Sequence, residues 1–262
     1  MFSKEFIKEQ LTLLGVPKDG TVMVHTSLRA IGEVAGRAQG LLDAFIEYFS
    51  EGGGLLVVPT HTWSNFYQNK EFALDCLSSK TCLGVFSDVA AADGRGERTL
   101  NPTHSVTVFG NREKVKKFVE SENSAITPTS INGCYGKITD VLLIGVGQNK
   151  NTYLHCVEES LGVKNRLSAL PTKMVIRLLD GSVIEKDFYY MISEGIEDPS
   201  AFFGKYEPAF RKYGAVKDGV IGNAKVQLCK AAVMKSVMEL INKNSDGIEI
   251  LSDDKPILKE YY

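Results

Sequence analysis

The sequence predicts a mixed α/β fold, one domain over residues 1–262, with helices covering a sheet that is part parallel and part antiparallel. Three observations point there. Apolar runs of buried-strand length recur at residues 21–25, 55–58 and 141–146. Segments with helical apolar spacing lie between them. No repeat, low-complexity tract or obvious linker divides the chain.

The elements follow in order. Glu5 to Leu14 is a short amphipathic helix, stopped by Gly15 and Pro17. Thr21 to His25 is a buried-type strand, and residues 27–32 a loop. Ala38 to Phe49 is helical and ends at Gly52-Gly53-Gly54. Leu55 to Val58 is a second strand, closed by Pro59. Residues 60–83 mix polar and aromatic side chains without a period, and so long an insertion after a strand is usually functional. Phe86 to Ala92 reads as a helix, residues 93–96 as a turn, Ser105 to Phe109 as a strand and Arg112 to Glu120 as a helix. Val141 to Val146 is another buried strand. Lys173 to Leu179 and Ser182 to Asp187 alternate around Asp180-Gly181, a hairpin signal. Gly222 to Lys243 is expected to be one long helix.

The composition is that of an ordinary globular protein, with a net charge of −2, which argues against a basic nucleic-acid surface. No apolar run reaches the roughly 20 residues of a membrane span. The charged, amphipathic N-terminus does not read as a signal peptide. Five cysteines without a CxxC pair read as reduced thiols, so a cytoplasmic protein is expected. The four histidines show no HxH or HExxH spacing, and no metal site is expected.

The most informative stretch is Asn151 to Glu159, directly after the apolar strand and Gly147. It reads as strand, glycine loop and helix start, with His155 in the first turn. Glu158 and Glu159 follow His155 at spacings that return to the same helix face. The carboxyl ends of strands in α/β sheets are where ligands usually bind. A carboxylate beside an imidazole fixes its tautomer and steadies the cation formed when it takes a proton. These are the parts of a general base.

Several segments together resemble the aminoglycoside 3-N-acetyltransferase family. They are Val24-His25-Thr26-Ser27-Leu28 with Gly32, Val58-Pro59-Thr60-His61-Thr62, Asn101-Pro102-Thr103-His104-Ser105-Val106, Leu143-Ile144-Gly145-Val146-Gly147, and Thr152-Tyr153-Leu154-His155 with Glu158. Residues 219–224 are similar to the family's glycine–alanine signature. The ordered set covers roughly residues 5–250.

The resemblance implies an α/β/α fold, a mixed sheet flanked by helices, and an acetyl-CoA-dependent enzyme that acetylates an amine by direct transfer. In the best-known members that amine is the 3-amino group of a 2-deoxystreptamine aminoglycoside antibiotic. His155 matches the family's base and Glu158 its glutamate, which favours Glu158 over Glu159 as the partner. The resemblance places CoA along Thr26, Ser27, Leu28, Arg29 and Gly32, and along Arg98, Ser105 and Val106. Members commonly read Arg-Ser-x-His-Pro where this chain has Arg98-Thr99-Leu100-Asn101-Pro102, so Asn101 replaces an imidazole. Cys156, beside His155, reads as a core thiol rather than a nucleophile, because adjacent helical residues point about 100° apart.

An acceptor site is expected around Trp63, which can stack on a sugar, Asp75 in the 60–83 insertion, His104 and Thr152. Glu194, Glu197 and Asp198 are further acidic candidates. The expected partners are CoA and a small-molecule amine, with a homodimer as an option for assembly; neither nucleic acid nor membrane is expected. Two alternatives stay open: a same-fold acyltransferase acting on a non-antibiotic amine, and a non-catalytic CoA-binding protein.

Overall fold

A computed structural model describes residues 1–262 apart from Ser79, Glu194 and Glu197. The strands are β1 (Thr21–Thr26), β2 (Leu55–Pro59), β3 (Leu74–Asp75), β4 (Glu97–Arg98), β5 (Val106–Gly110), β6 (Asp140–Ile144), β7 (Thr172–Arg177), β8 (Val183–Phe188), β9 (Val216–Ile221) and β10 (Ala224–Lys230). The α-helices are α1 (Lys4–Leu14), α2 (Leu28–Ile31), α3 (Arg37–Gly52), α4 (Trp63–Tyr67), α5 (Val85–Ala92), α6 (Arg112–Asn123), α7 (Tyr153–Ser160), α8 (Glu207–Lys212) and α9 (Ala231–Asn244).

Seven strands form the main sheet in the order β4-β5-β2-β1-β6-β10-β9. Its centre is parallel: β1 pairs with β2 on one side and β6 on the other. Its flanks are antiparallel. Alternation along the central strands splits the core into two. Met23, Val57, Val141 and Leu143 face α6, α7 and α9. Val22, Val24, Leu56, Val58, Leu142 and Ile144 face α1, α3 and α5. Strands buried on both faces read as continuous apolar runs, which is how the sequence displays them. The result is the α/β/α arrangement. A second sheet, β3-β7-β8, carries the expected hairpin around Asp180-Gly181.

One element departs from expectation. Residues 222–243 are not one helix: Gly222-Asn223 turns β9 into β10, and α9 begins only at Ala231. Ala224, Val226 and Leu228 are apolar at every second position and buried, the period of a half-buried strand. Antiparallel pairing with β6 settles the matter. The 60–83 insertion also has more structure than its composition suggests, holding α4 and β3. The loop expected at 27–32 contains the single turn α2, capped by the Ser27 hydroxyl, which accepts from the Ala30 N–H at 3.3 Å.

Two glycines hold this turn against the sheet. Gly145, just past β6, has φ +66°, and a Cβ there would lie 2.3 Å from the Ala30 methyl. Gly222, at φ +58°, would put a Cβ 2.6 Å from the Ile31 carbonyl oxygen. Asn223 donates its N–H to that carbonyl at 2.9 Å. The 219–224 segment therefore serves the α2 turn from a β-hairpin.

Candidate active site

A cleft of about 1920 Å³ opens beyond the carboxyl ends of β1, β2 and β6, the three mutually parallel strands. Ligands of open α/β sheets bind at this position. Single drug-sized ligands occupy pockets of about 300–1,000 Å³, so the cleft has room for two reactants.

His155 stands on α7, and its Nδ1 lies 3.1 Å from Oε2 of Glu158. A carboxylate only accepts, so Nδ1 carries the proton and Nε2 keeps a free lone pair. Glu158 is itself clamped: Arg166 Nε donates to its other oxygen at 2.9 Å, and Arg166 Nη1 reaches Glu249 at 2.7 Å. Glu158 and Arg166 are both buried. Burial works against the charge on Arg166, but the two glutamates outweigh it and raise its pKa. Phe203 meets the His155 ring edge-on, with centroids 4.7 Å apart. The imidazole is thus fixed by a charged chain on one side and an aromatic face on another.

All four histidines of the sequence line this cleft. Burial holds three of them neutral: His25 and His104 are pushed down to about 3, and His61 falls well below its ordinary value. His155 adds to the depression of His104. His61 and His104 pack with ring centroids 4.7 Å apart. Between them, the Tyr135 hydroxyl donates to the His104 carbonyl at 2.8 Å and lies 3.3 Å from His61 Nε2. The hydroxyl has one proton and spends it on the carbonyl, so His61 Nε2 is the donor in the second contact.

The loop carrying His104 is held from below. Asn101 Oδ1 accepts from the backbone N–H groups of His104 at 2.8 Å and Thr103 at 3.2 Å. Asn101 Nδ2 donates to Glu122 at 2.6 Å and to the Pro128 carbonyl at 2.9 Å. Burial raises the Glu122 carboxyl, which the Asn101 amide and the Cys134 N–H partly offset. The amide at 101 therefore organises the loop.

Of the residues singled out from the sequence, the cleft brings together Thr26, Ser27, Leu28, Arg29, Gly32, Trp63, His104, Thr152 and His155, with Glu158 directly behind His155. Four others do not line it. Arg98 donates to the Thr60 carbonyl at 2.6 Å and to Ser105 Oγ at 3.1 Å. Burial pushes its pKa down to about 10. Ser105 donates to the same carbonyl at 2.7 Å, and Val106 sits in the core opposite Pro59. These three fasten β5 to the end of β2. Asp75 lies on β3, where its Oδ1 accepts from Arg177 Nε at 3.0 Å. Asp198 lines the cleft and caps the 3-10 turn Pro199–Tyr206 through the Ser200 N–H. Glu194 and Glu197 lie outside the described residues.

Sequence reasoning missed Arg166, Tyr135, Glu122 and Phe203. Arg166 follows Glu158 by eight residues, beyond Gly162, and no local spacing marks it as a buried cation. Tyr135 and Glu122 reach the site through contacts across the chain. Among the described residues no group of three or more His, Cys, Asp and Glu side chains is arranged to hold a metal ion.

Comparison with known proteins gives a consistent picture. The family model described as aminoglycoside 3-N-acetyltransferase matches residues 23–241. The chain is 21% identical to the SPbeta prophage-derived aminoglycoside N(3')-acetyltransferase-like protein YokD of Bacillus subtilis (strain 168), over 94% of this chain and 95% of that one. It is 25% identical to aminoglycoside N(3)-acetyltransferase III of Salmonella sp, over 88% of each. Among solved structures, the apoenzyme of aminoglycoside acetyltransferase AAC(3)-IVa superposes with a TM-score of 0.70 at 24% identity, covering 90% of this chain and 86% of that one. AAC-IIIb in its binary complex with CoASH gives 0.73 at 17% identity, covering 89% and 93%.

Proposed function

This chain belongs to the aminoglycoside 3-N-acetyltransferase family, and from that premise we propose that it binds acetyl-CoA in the cleft and transfers the acetyl group directly to an amine. The acceptor best supported is the 3-amino group of a 2-deoxystreptamine aminoglycoside, given the relatives' names. The observation that carries the reading is the His155–Glu158 contact: Glu158 accepts the Nδ1–H hydrogen bond and leaves Nε2 free to accept, inside a cleft with room for two reactants.

The α2 turn supplies backbone N–H groups, the Ser27 hydroxyl and the Arg29 guanidinium to the CoA chain, with Arg37 and Lys150 as further cations on the lining. Bound acetyl-CoA presents its carbonyl carbon to the amine at near-attack distance. His155 Nε2 takes a proton from the attacking nitrogen, and Glu158 stabilises the imidazolium. When the C–S bond breaks, His155 passes that proton to the departing thiolate, giving amide and free thiol. An acyl-cysteine route has no support. Among the described residues no cysteine is on the lining, and burial raises the Cys156 thiol.

One observation favours the second reading, a non-antibiotic amine. Among the described lining residues the carboxylates are those of Glu33 and Asp198, against the cations Arg29, Arg37, Lys150 and Arg166. A polycationic acceptor prefers more acid than that. The test is CoA release from acetyl-CoA, read with a thiol reagent, across a panel of aminoglycosides and simple amines. Acceleration by a 3-amino deoxystreptamine compound, with an acetylated product, supports the first reading. Acceleration only by other amines supports the second. CoA binding without transfer to any amine would refute both.

A further inference from the structure

The His155 lone pair explains how a proton leaves the amine, but the tetrahedral intermediate also carries an oxyanion, which needs a donor. We propose that His104 is that provision: its Nε2–H donates to the thioester carbonyl oxygen and to the oxyanion that forms there. The proposal rests on the acetyl-transfer reading above.

The tautomer follows from proton accounting. His104 Nδ1 lies 2.9 Å from the Thr103 hydroxyl oxygen. Thr103 is buried, and among the described residues its hydroxyl has no other partner. Were Nδ1 protonated, it would donate to that oxygen and the hydroxyl proton would be left buried without an acceptor. Folded proteins avoid this arrangement. With Nδ1 bare, the hydroxyl donates to it, and the ring proton must sit on Nε2. Nε2 has no protein partner among the described residues, and the ring lines the cleft.

The chemistry selects the ligand. A neutral imidazole whose one lone pair is already used is purely a donor on its cleft side. It cannot accept from an ammonium or an attacking amine. As the amine attacks, the acceptor that gains negative charge is the thioester oxygen. His155 has the opposite arrangement, with its proton turned inward to Glu158 and its lone pair outward. Two imidazoles of opposite tautomer facing one cleft are suited to removing a proton and stabilising an oxyanion in the same step. As the amine nitrogen bonds to the carbonyl carbon, the C=O electron pair moves to oxygen and is held by Nε2–H. The pair returns as the C–S bond breaks, and the thiolate is protonated by His155.

The donor is also preorganised. Asn101 fixes the His104 N–H, Tyr135 fixes its carbonyl, His61 packs against its ring and Thr103 sets its tautomer. Burial, together with His155, keeps the imidazole neutral. A donor held in place before the reaction loses nothing to reorganisation during it.

Two measurements test this. In the first, kcat is compared for the wild type, His104→Phe, His104→Gln and Thr103→Val. His104→Phe keeps the ring and removes the donor, and kcat is expected to fall about 10²–10³-fold, with KM for acetyl-CoA within about threefold. His104→Gln restores an N–H and should recover at least about tenfold of that loss. Thr103→Val, which frees the tautomer but keeps the ring, should cost about tenfold. In the second, 15N chemical shifts of the histidine rings in the free enzyme should show His104 as the Nε2–H tautomer between about pH 6 and 9. A His104→Phe enzyme with near-normal kcat, or an Nδ1–H tautomer in the spectra, would overturn the proposal. Wild-type protein that acetylates no amine would instead refute the acetyl-transfer reading, and the spectra alone would then decide whether His104 offers a donor.

Discussion

Replacing Glu158 by glutamine changes one atom and should stop the base. Glu158 receives two donors, His155 Nδ1–H on one oxygen and Arg166 Nε–H on the other. Glutamine offers one acceptor and one donor group. Arg166 cannot surrender a proton, so the amide oxygen turns to Arg166 and the amide N–H₂ faces His155. Nδ1 must then be bare, and the ring proton moves to Nε2, where the lone pair was. The expected loss in kcat is about 10³–10⁴-fold, the scale of holding a catalytic imidazole in the wrong tautomer. Glu158 is buried and does not line the cleft, so KM for acetyl-CoA should stay within about twofold. Initial rates of CoA release, at saturating acceptor and varied acetyl-CoA, measure both quantities. A Glu158→Gln enzyme retaining a tenth or more of wild-type kcat would refute the reasoning.

Three further outcomes follow from the same geometry. Arg166→Met leaves Glu158 and Glu249 facing each other without their shared cation, and should lower stability by about 3 kcal/mol or more in urea unfolding. An unchanged midpoint would mean the pair is solvated. Trp63→Ala, which removes an exposed aromatic surface on the lining, should raise the acceptor KM about tenfold and leave the acetyl-CoA KM alone; equal changes in both would place Trp63 elsewhere. His25, His61 and His104 are held neutral when folded but take protons near pH 6.5 when unfolded. Below that value the unfolded chain binds more protons, so their contribution is intact above about pH 6.5 and shrinks as pH falls toward 3. The loss is up to about 1.4 kcal/mol per unit for each histidine. Urea midpoints at about pH 7.5 and 5.5 should therefore differ, and identical midpoints would show that these rings are not buried neutral.

The central strands were legible because burial on both faces leaves no polar alternation, so β1, β2 and β6 appear as unbroken apolar runs. The His155–Glu158 pair was legible because helical spacing is local. The same locality misled at residues 222–243, where the helical spacing of α9 was extended back across a strand whose partner, β6, lies some eighty residues earlier. Arg98, Ser105 and Val106 lie in or beside a segment that resembles the family's, yet their side chains fasten β5 to β2 rather than line the cleft. A linear motif does not distinguish a wall residue from the strut behind it. Asp75 looked free in an insertion without a period, and the Arg177 that occupies it comes from a hairpin about a hundred residues on. The support under His104 was invisible for the same reason, since Glu122 and Tyr135 reach it only through tertiary contacts.

The central claim is that His155 is the base of an acetyl transfer in this cleft. The most direct measurement is the turnover of His155→Ala with the best acceptor from the panel, alongside its affinity for CoA by calorimetry. The account predicts turnover lower by about 10³-fold or more with CoA affinity within a few-fold of wild type, because the base touches the amine and not the cofactor's binding turn. Near-normal turnover in that variant would contradict it.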